Sequence, residues 1–270
     1  MSQWSYVVEP EELQKRLGEA SLLVVDMCSP ERYAAGHVPG AVHLEYSRIV
    51  AKREPTVGLL PAPAALSAVF SSLGLTPDTQ VVAYDDEGGG KAARLLWTLD
   101  VVGHDNISLL DGGILAWEAE GRPLSQEPVA AKAGHYEVTA YKRATATADE
   151  IMPKLGAAGF CVLDARSPLE FAGQKQTDAK AGHMPGAVNI EWTSLMDRNN
   201  HLKLLPQAQI RARLEENGIT PDKEVLVHCR SHHRSAHTYM VLKSLGYKNV
   251  KGYPGSWSDW GNRPDTPVEV

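Results

Sequence analysis

The sequence contains one long pattern twice, and this duplication limits the possible folds more than any other feature. The segment GHVPGA at 36–41 recurs as GHMPGA at 182–187, and LTPD at 75–78 recurs as ITPD at 219–222. Copies of about 125 residues are too long for solenoid repeats and have the size of whole domains. We therefore predict two domains, residues 1–125 and 144–270, joined by a linker at 126–143.

The two copies differ in length at one place. Asp26 and Asp164 are 138 residues apart, whereas His37 and His183 are 146 residues apart. The second copy therefore carries an eight-residue insertion, which falls around Gln174 to Ala181.

Each copy alternates short apolar runs with helix-like stretches. The runs LLVV at 22–25, VVAY at 81–84, CVL at 161–163 and VLV at 225–227 have the length and composition of strands that are buried on both faces. Helical segments are expected at 10–17, 63–73, 148–155 and 208–216. The pattern predicts the α/β class: two tandem domains, each with a mostly parallel central sheet flanked by helices.

Composition and charge exclude several classes of function. The chain has 270 residues, a hydrophobic fraction of 43% and a net charge of −6 without a basic run, which argues against binding to nucleic acid or an anionic membrane. No apolar stretch approaches the roughly 18 residues of a membrane span. The first five residues, MSQWS, do not look like a signal peptide. Three widely spaced cysteines predict a reducing, cytoplasmic compartment.

The copies disagree most at one loop that follows a predicted strand. Cys229 occupies the position of Asp85, and the residues after it read RSHHRS at 230–235, where the first copy reads DEGGGK at 86–91. Ligands bind at the carboxyl ends of strands in open α/β sheets. A loop before a helix directs several backbone N–H groups into one cup, which favours a thiolate. We predict Cys229 as the nucleophile and Arg230, Ser231, His232, His233, Arg234 and Ser235 as binding residues.

Three other interpretations of this loop are weaker. A buried structural cysteine needs no cluster of histidine and arginine around it. Metal binding by Cys229 with His228, His232, His233 or His237 requires adjacent loop residues to converge tetrahedrally, so no metal site is predicted. A cysteine phosphatase loop has one more residue between Cys and Arg. Cys28 and Cys161 are interpreted as structural.

These residues resemble the rhodanese (thiosulfate sulfurtransferase) family in its tandem-domain form. The segment YAAGHVPGA at 33–41 is similar to the family's upstream signature, and YPGSWSDW at 253–260 to its C-terminal signature. The loop CRSHHRS at 229–235 is similar to that of a bacterial subgroup. The resemblance extends over nearly the whole chain.

The resemblance implies double displacement through a Cys229 persulfide, with sulfur moving from thiosulfate to cyanide or another thiophile. It implies no metal or organic cofactor. The partners would be small anionic donors and thiophilic acceptors, with no nucleic acid and no membrane, and the chain would be a monomer. The first domain, with Asp85 in place of cysteine, would be catalytically silent.

Two positions depart from the animal enzymes and leave the donor open. Ser231 and Glu170 stand where those enzymes place a lysine and an arginine that hold the anion. Arg166 is a candidate substrate-binding residue, and a structural ion pair is its alternative. Arg230 is expected to be freer than Arg234 to meet a donor.

Transfer from 3-mercaptopyruvate and sulfur delivery to a protein acceptor are alternative activities. A non-catalytic sensing or interaction module is a further alternative, but such modules usually lack the cysteine.

Overall fold

The computed structural model describes residues 4–131 and 134–270, and its contacts divide the chain into two units. Unit 1 comprises Met1–Ile49, Pro61–Arg143 and Met196–Leu204. Unit 2 comprises Val50–Leu60, Ala144–Leu195 and Leu205–Val270. Each unit thus holds most of one sequence copy together with a short segment of the other, and the predicted boundaries at 125 and 144 stay a prediction.

Unit 1 is built on a parallel five-stranded sheet with the order β1-β7-β6-β2-β3. Its strands are β1 (Val7–Val8), β2 (Leu22–Asp26), β3 (Val42–His43), β6 (Gln80–Tyr84) and β7 (Ile107–Leu110). Its helices are α1 (Pro10–Arg16), α2 (Pro30–Ala35), α3 (Pro63–Ser72), α4 (Gly90–Val102) and α5 (Gly113–Ala119), with a 3-10 turn at Tyr46–Ile49. Every residue of β6 is buried, as expected of a strand covered on both faces.

Unit 2 repeats this plan with a parallel four-stranded sheet of order β13-β12-β8-β9. Its strands are β8 (Phe160–Asp164), β9 (Val188–Asn189), β12 (Glu224–His228) and β13 (Val250–Gly252). Its helices are α6 (Ala148–Ile151), α7 (Pro168–Phe171), α8 (Gln207–Glu216), α9 (Arg234–Ser244) and α10 (Ser256–Trp260), with 3-10 turns at Met152–Lys154 and Trp192–Leu195. The predicted α/β class is confirmed.

Two antiparallel hairpins are the segments that the units take from the other sequence copy. Strands β4 (Ala51–Arg53) and β5 (Thr56–Leu59) belong to unit 2. Strands β10 (Met196–Asp197) and β11 (Lys203–Leu204) belong to unit 1.

The predicted helices agree with the observed ones except at one end. The helix expected over 148–155 ends at Ile151 and continues as a 3-10 turn, Met152–Lys154. Pro153 explains the change, because proline has no N–H to donate to the preceding turn of an α-helix.

The predicted linker, 126–143, lies within unit 1, and Lys132 and Ala133 fall outside the described residues. Its described residues contain no helix or strand. The segment contacts α3: the backbone N–H groups of Tyr136 and Val138 donate to the hydroxyls of Ser71 and Ser67.

Several residues that recur in both sequence copies contribute to packing. Trp117 and Trp260 are fully buried, and each indole N–H donates to a backbone carbonyl at 2.8 Å. The rings of His37 and His183 stack on Tyr33 and Phe171 with centroids 3.9 and 3.7 Å apart. Among the described residues, no helix is both long and apolar enough to cross a bilayer.

Candidate active site

Cys229 lies directly after the carboxyl end of β12, in the middle of the unit 2 sheet. The register pairs His228 with Asp164 on β8, so the next residue leaves the sheet at its carboxyl edge. The loop from 229 to 233 then enters α9, whose N-terminus directs backbone N–H groups toward this edge. The Cys229 residue is 1% exposed.

The main chain of the loop is held by α10. The N–H groups of Trp257 and Ser258 donate to the carbonyls of Cys229 and Arg230, both at 3.0 Å. The C-terminal signature therefore acts as a support for the cysteine loop.

Ser256 is a residue of this support that the sequence analysis missed. Its hydroxyl accepts from the N–H of Cys229 at 3.3 Å and of His232 at 3.0 Å, and it donates to the Tyr253 carbonyl at 2.7 Å. Its φ of 50° lies in the left-handed region, where the matching residue of unit 1 is Gly113 with φ 55°. A serine in place of a glycine at matched positions was the signal that could have identified it.

The loop stabilises Cys229 as a thiolate. Burial raises the pKa of the thiol, but the positive charge of Arg234 lowers it. Hydrogen bonds from the Ser235 hydroxyl and from the N–H groups of Ser235 and Ser231 lower it further, so the pKa lies below the usual value. The thiolate is the nucleophilic form of cysteine, and this environment makes Cys229 the reactive candidate.

Arg234 is held by Glu170. Its two terminal nitrogens donate to the two carboxylate oxygens at 2.7 and 2.9 Å. Burial raises the pKa of Glu170, but the hydrogen bond and charge of Arg234 outweigh it and lower the pKa to about 2. Glu170 therefore fixes the position of Arg234, the cation beside Cys229.

Arg230, which the sequence predicts to be freer than Arg234 to meet a donor, is also paired with a carboxylate. Its Nε and one terminal nitrogen donate to Asp178 at 3.1 Å each. The Arg230 side chain is nevertheless 40% exposed, compared with 23% for Arg234.

Arg166 is explained by the structural alternative. Its guanidinium donates to both carboxylate oxygens of Asp164 and to the carbonyl of Gly182, and it lies 4.3 Å from the centre of the Trp257 ring. The residue is 1% exposed. These contacts favour a structural role for Arg166 over the predicted role in substrate binding.

The remaining loop residues divide between the interior and the surface. His232 is fully buried with φ 51°, and its Nδ1 lies 2.8 Å from the Ser235 hydroxyl. Ser231 and His233 are half-buried. A Cβ added to Gly58 of β5 would lie 2.1 Å from the Ser231 carbonyl oxygen, so the hairpin backbone packs directly on the loop.

The other two cysteines have the opposite electrostatic setting. Burial, together with the charge of Asp26, raises the pKa of Cys28 far above the usual value. Burial raises the pKa of Cys161 to about 11. Neither thiol is prepared for nucleophilic attack at neutral pH.

The matching loop of unit 1 holds a carboxylate in its cup. Asp85 is fully buried, and its two oxygens accept from the N–H groups of Glu87, Gly89 and Ala92 at 3.0, 2.7 and 2.9 Å. Burial and the charge of Glu87 raise the pKa of Asp85, and the three N–H bonds offset this only in part. The cup of this fold thus presents several N–H donors to an acceptor at its centre. In the described parts of the chain, no group of three His, Cys, Asp or Glu side chains is arranged to hold a metal ion.

The sequence profile of the Rhodanese-like domain matches residues 9–120 and 147–263. The chain belongs to the rhodanese family. The first match includes Asp85 and the second includes Cys229, each within the strand–loop–helix segment of its copy.

Relatives of known name agree with this assignment. The chain is 50% identical over 264 residues to a thiosulfate sulfurtransferase of Pseudomonas aeruginosa, covering 98% of this chain and 97% of that protein. It is 48% identical to a thiosulfate sulfurtransferase of Azotobacter vinelandii over 98% and 97% of the two chains. It is 34% identical to the sulfur carrier protein TtuD of Thermus thermophilus over 87% and 86%.

Solved structures share the fold at low sequence identity. A complex of EanB with ergothioneine has a TM-score of 0.86 at 20% identity and covers 98% of this chain and 70% of its own. YnjE has a TM-score of 0.83 at 21% identity, with coverage of 98% and 68%.

Proposed function

We propose that this protein is a thiosulfate:cyanide sulfurtransferase that carries sulfur as a persulfide on Cys229. The observation that carries the proposal is a buried thiol whose pKa is lowered by Arg234 and by loop hydrogen bonds. The relatives named thiosulfate sulfurtransferase, at 50% and 48% identity over nearly the full chain, support the same activity.

In the first step the Cys229 thiolate attacks the outer sulfur of thiosulfate. A bond forms between the cysteine sulfur and this outer sulfur. The sulfur–sulfur bond of the donor breaks, and sulfite leaves with the bonding electron pair. The product is a persulfide anion whose terminal sulfur is available for transfer, as in covalent catalysis by an activated nucleophile.

The loop would stabilise the persulfide charge. The N–H groups of Ser231 and Ser235 and the Ser235 hydroxyl already bond to Cys229 sulfur, and Arg234 is the nearby cation. Fixed donors aimed at a charge lower its energy without reorganisation during the reaction. The side chains of Arg230, His232 and His233 stay predicted binding residues.

In the second step a thiophile removes the terminal sulfur. Cyanide attacks it, thiocyanate leaves, and the electron pair of the broken bond returns to Cys229 as a thiolate. Because sulfite departs before cyanide reacts, the kinetics should be ping-pong. No step needs a metal or an organic cofactor.

Unit 1 would take no part in this chemistry. Its cup is filled by the Asp85 carboxylate, which accepts three N–H groups and leaves no nucleophilic sulfur at the centre. The proposal therefore assigns catalysis to the second sequence copy alone.

Steady-state kinetics with thiosulfate and cyanide test the proposal. Thiocyanate formation should give parallel double-reciprocal lines, and Cys229→Ser should abolish it. Cys161→Ser is the matched control, because Cys161 is also in unit 2 but its pKa is raised, and it should retain activity. Absence of thiocyanate formation by the unaltered protein, or equal loss in both variants, would contradict the proposal.

Sulfur delivery to a protein thiol is a second candidate, favoured by the 34% identity to a protein named sulfur carrier. The same persulfide would serve, with a protein thiolate in place of cyanide. The identity of the donor is a separate question. A comparison of kcat/KM for thiosulfate with kcat/KM for 3-mercaptopyruvate decides which of the two supplies the sulfur. A monomeric, cytoplasmic protein remains our expectation.

A further inference from the structure

The insertion of the second sequence copy starts from a scaffold that both copies share. In the first copy Tyr33 stacks on His37, four residues later, and in the second Phe171 stacks on His183, twelve residues later. The two ring stacks have nearly the same geometry, so the eight additional residues are inserted between matched positions of the fold. They bring Asp178 to the Cys229 loop, and the first copy has no matching residue.

Asp178 is a buried carboxylate surrounded by donors. Its side chain is 4% exposed. One oxygen accepts from Arg230 and from Asn262, both at 3.1 Å, and the other accepts from the Arg230 Nε at 3.1 Å and from the Thr177 hydroxyl at 2.8 Å. Asn262 also accepts from the N–H of Ala179, so the insertion is anchored to the end of α10 independently of Asp178.

The charges of the loop are therefore balanced by two buried acids. Arg234 is paired with Glu170, and Arg230 is paired with Asp178. Arg234 is the cation that acts on Cys229 itself. Arg230 directly follows the nucleophile and is the more exposed of the two arginines. It is therefore the cation that an approaching anion would meet. Asp178 cancels the charge of this arginine.

We propose that Asp178 is a specificity-determining residue that reduces the preference of the site for dianionic sulfur donors by neutralising Arg230. This inference rests on the proposed function, because it concerns the first half-reaction. Thiosulfate is a dianion and approaches a thiolate, so the repulsion it meets is about twice that met by a monoanionic donor at the same position. An uncancelled Arg230 would offset more of that repulsion for the dianion.

The first test measures the electrostatic potential at Cys229 without any sulfur donor. Iodoacetate and iodoacetamide alkylate the same sulfur, but only iodoacetate is charged. In Asp178→Asn, which keeps the side-chain shape, the ratio of the iodoacetate to the iodoacetamide rate constant should rise about two- to fivefold. The rise should shrink at high salt, since partly exposed charges are screened. An unchanged or lower ratio overturns the proposal.

The second test uses donors of different charge. The value of kcat/KM for thiosulfate should rise about tenfold in Asp178→Asn, and that for benzenethiosulfonate, a monoanion, about threefold. Both donors transfer their outer sulfur to the thiolate and release sulfite or benzenesulfinate with the bonding pair. In a ping-pong reaction, kcat/KM for the donor depends on the first half-reaction alone.

Two controls separate charge from damage to the loop. Asp149→Asn removes an acid that pairs with Arg263 elsewhere in unit 2. It should change neither the ratio of the alkylation rate constants nor kcat/KM for either donor. The double variant Asp178→Asn/Arg230→Ala should lose the gain. If Asp178 instead holds Arg230 in place for the donor, Asp178→Asn will lower kcat/KM for thiosulfate, and the proposal is wrong. If the unaltered protein transfers no sulfur, the proposed function fails, while the alkylation ratio still decides the role of Asp178.

Discussion

Replacing Arg234 by alanine should destabilise unit 2 and make Cys229 less reactive, for two separable reasons. The stability effect comes from Glu170, whose side chain is 5% exposed and would keep its charge without a cation. Breaking a buried pair on one side costs about 3–5 kcal/mol. Because the Arg234 side chain is 23% exposed, we expect about 3 kcal/mol, which lowers the melting temperature by roughly 6–12 °C.

The chemical effect comes from the charge of Arg234. Among the influences that lower the pKa of Cys229, this charge is the largest, so removing it raises the pKa and reduces the thiolate fraction at neutral pH. Loss of one charge-assisted contact is worth about 1.5–3 kcal/mol, so the alkylation rate at neutral pH should fall at least about tenfold. Iodoacetamide rates measured against pH report the pKa, and thermal unfolding followed by circular dichroism reports the stability.

The double variant Arg234→Met/Glu170→Gln separates the two effects. Without the unpaired carboxylate, it should recover most of the lost melting temperature, but its Cys229 should stay slow to alkylate. Recovery of the original alkylation rate in this double variant would refute the reasoning, because it would show that Arg234 acts only by holding the loop together.

Further predictions concern the support of the loop, the silent copy and the response to acid. Ser256→Gly keeps the left-handed backbone but removes the hydroxyl that accepts from the N–H groups of Cys229 and His232. Alkylation of Cys229 should therefore slow by about tenfold, while circular dichroism stays that of a folded protein. Gly58→Ala places a Cβ against the Ser231 carbonyl and should lower both kcat and the melting temperature, whereas the same change at Gly18, which faces open space, tests the backbone effect alone. Asp85→Ala should leave thiocyanate formation within a few fold, and a loss as large as that in Cys229→Ser would show that unit 1 takes part. Because the pKa of Glu170 is lowered to about 2 from 4.5, its contribution to stability is complete above about pH 4.5 and is lost as the pH falls toward 2. Between these pH values, the denaturant midpoint of Glu170→Gln should therefore change less than that of the unaltered protein.

The sequence was sufficient to predict the fold because the same pattern of strands and helices could be recognised at matched positions of both copies. Apolar runs at matched positions predicted the parallel strands β2, β6, β8 and β12, and the helices between them were placed to within a few residues. The same comparison identified the Cys229 loop, since a replacement of Asp85 by cysteine at matched positions is visible without other proteins.

The partners of the loop arginines could not be read in this way. Asp178 lies in the insertion, where the first copy offers no residue for comparison, and it is 52 residues before Arg230 in the chain. Arg234 meets Glu170 across 64 residues. Such pairs depend on how the loops are placed after folding, so the sequence could not show that Asp178 pairs with Arg230.

The most direct test of the account is the mass of the protein after incubation with thiosulfate. We predict a gain of about 32 Da, one sulfur atom, located on the peptide that contains Cys229. Cyanide should remove this mass and release an equal amount of thiocyanate. Sulfur found on Cys28 or Cys161 instead, or no gain in mass while Cys229 is still alkylated by iodoacetamide, would contradict the claim that Cys229 carries the transferred sulfur.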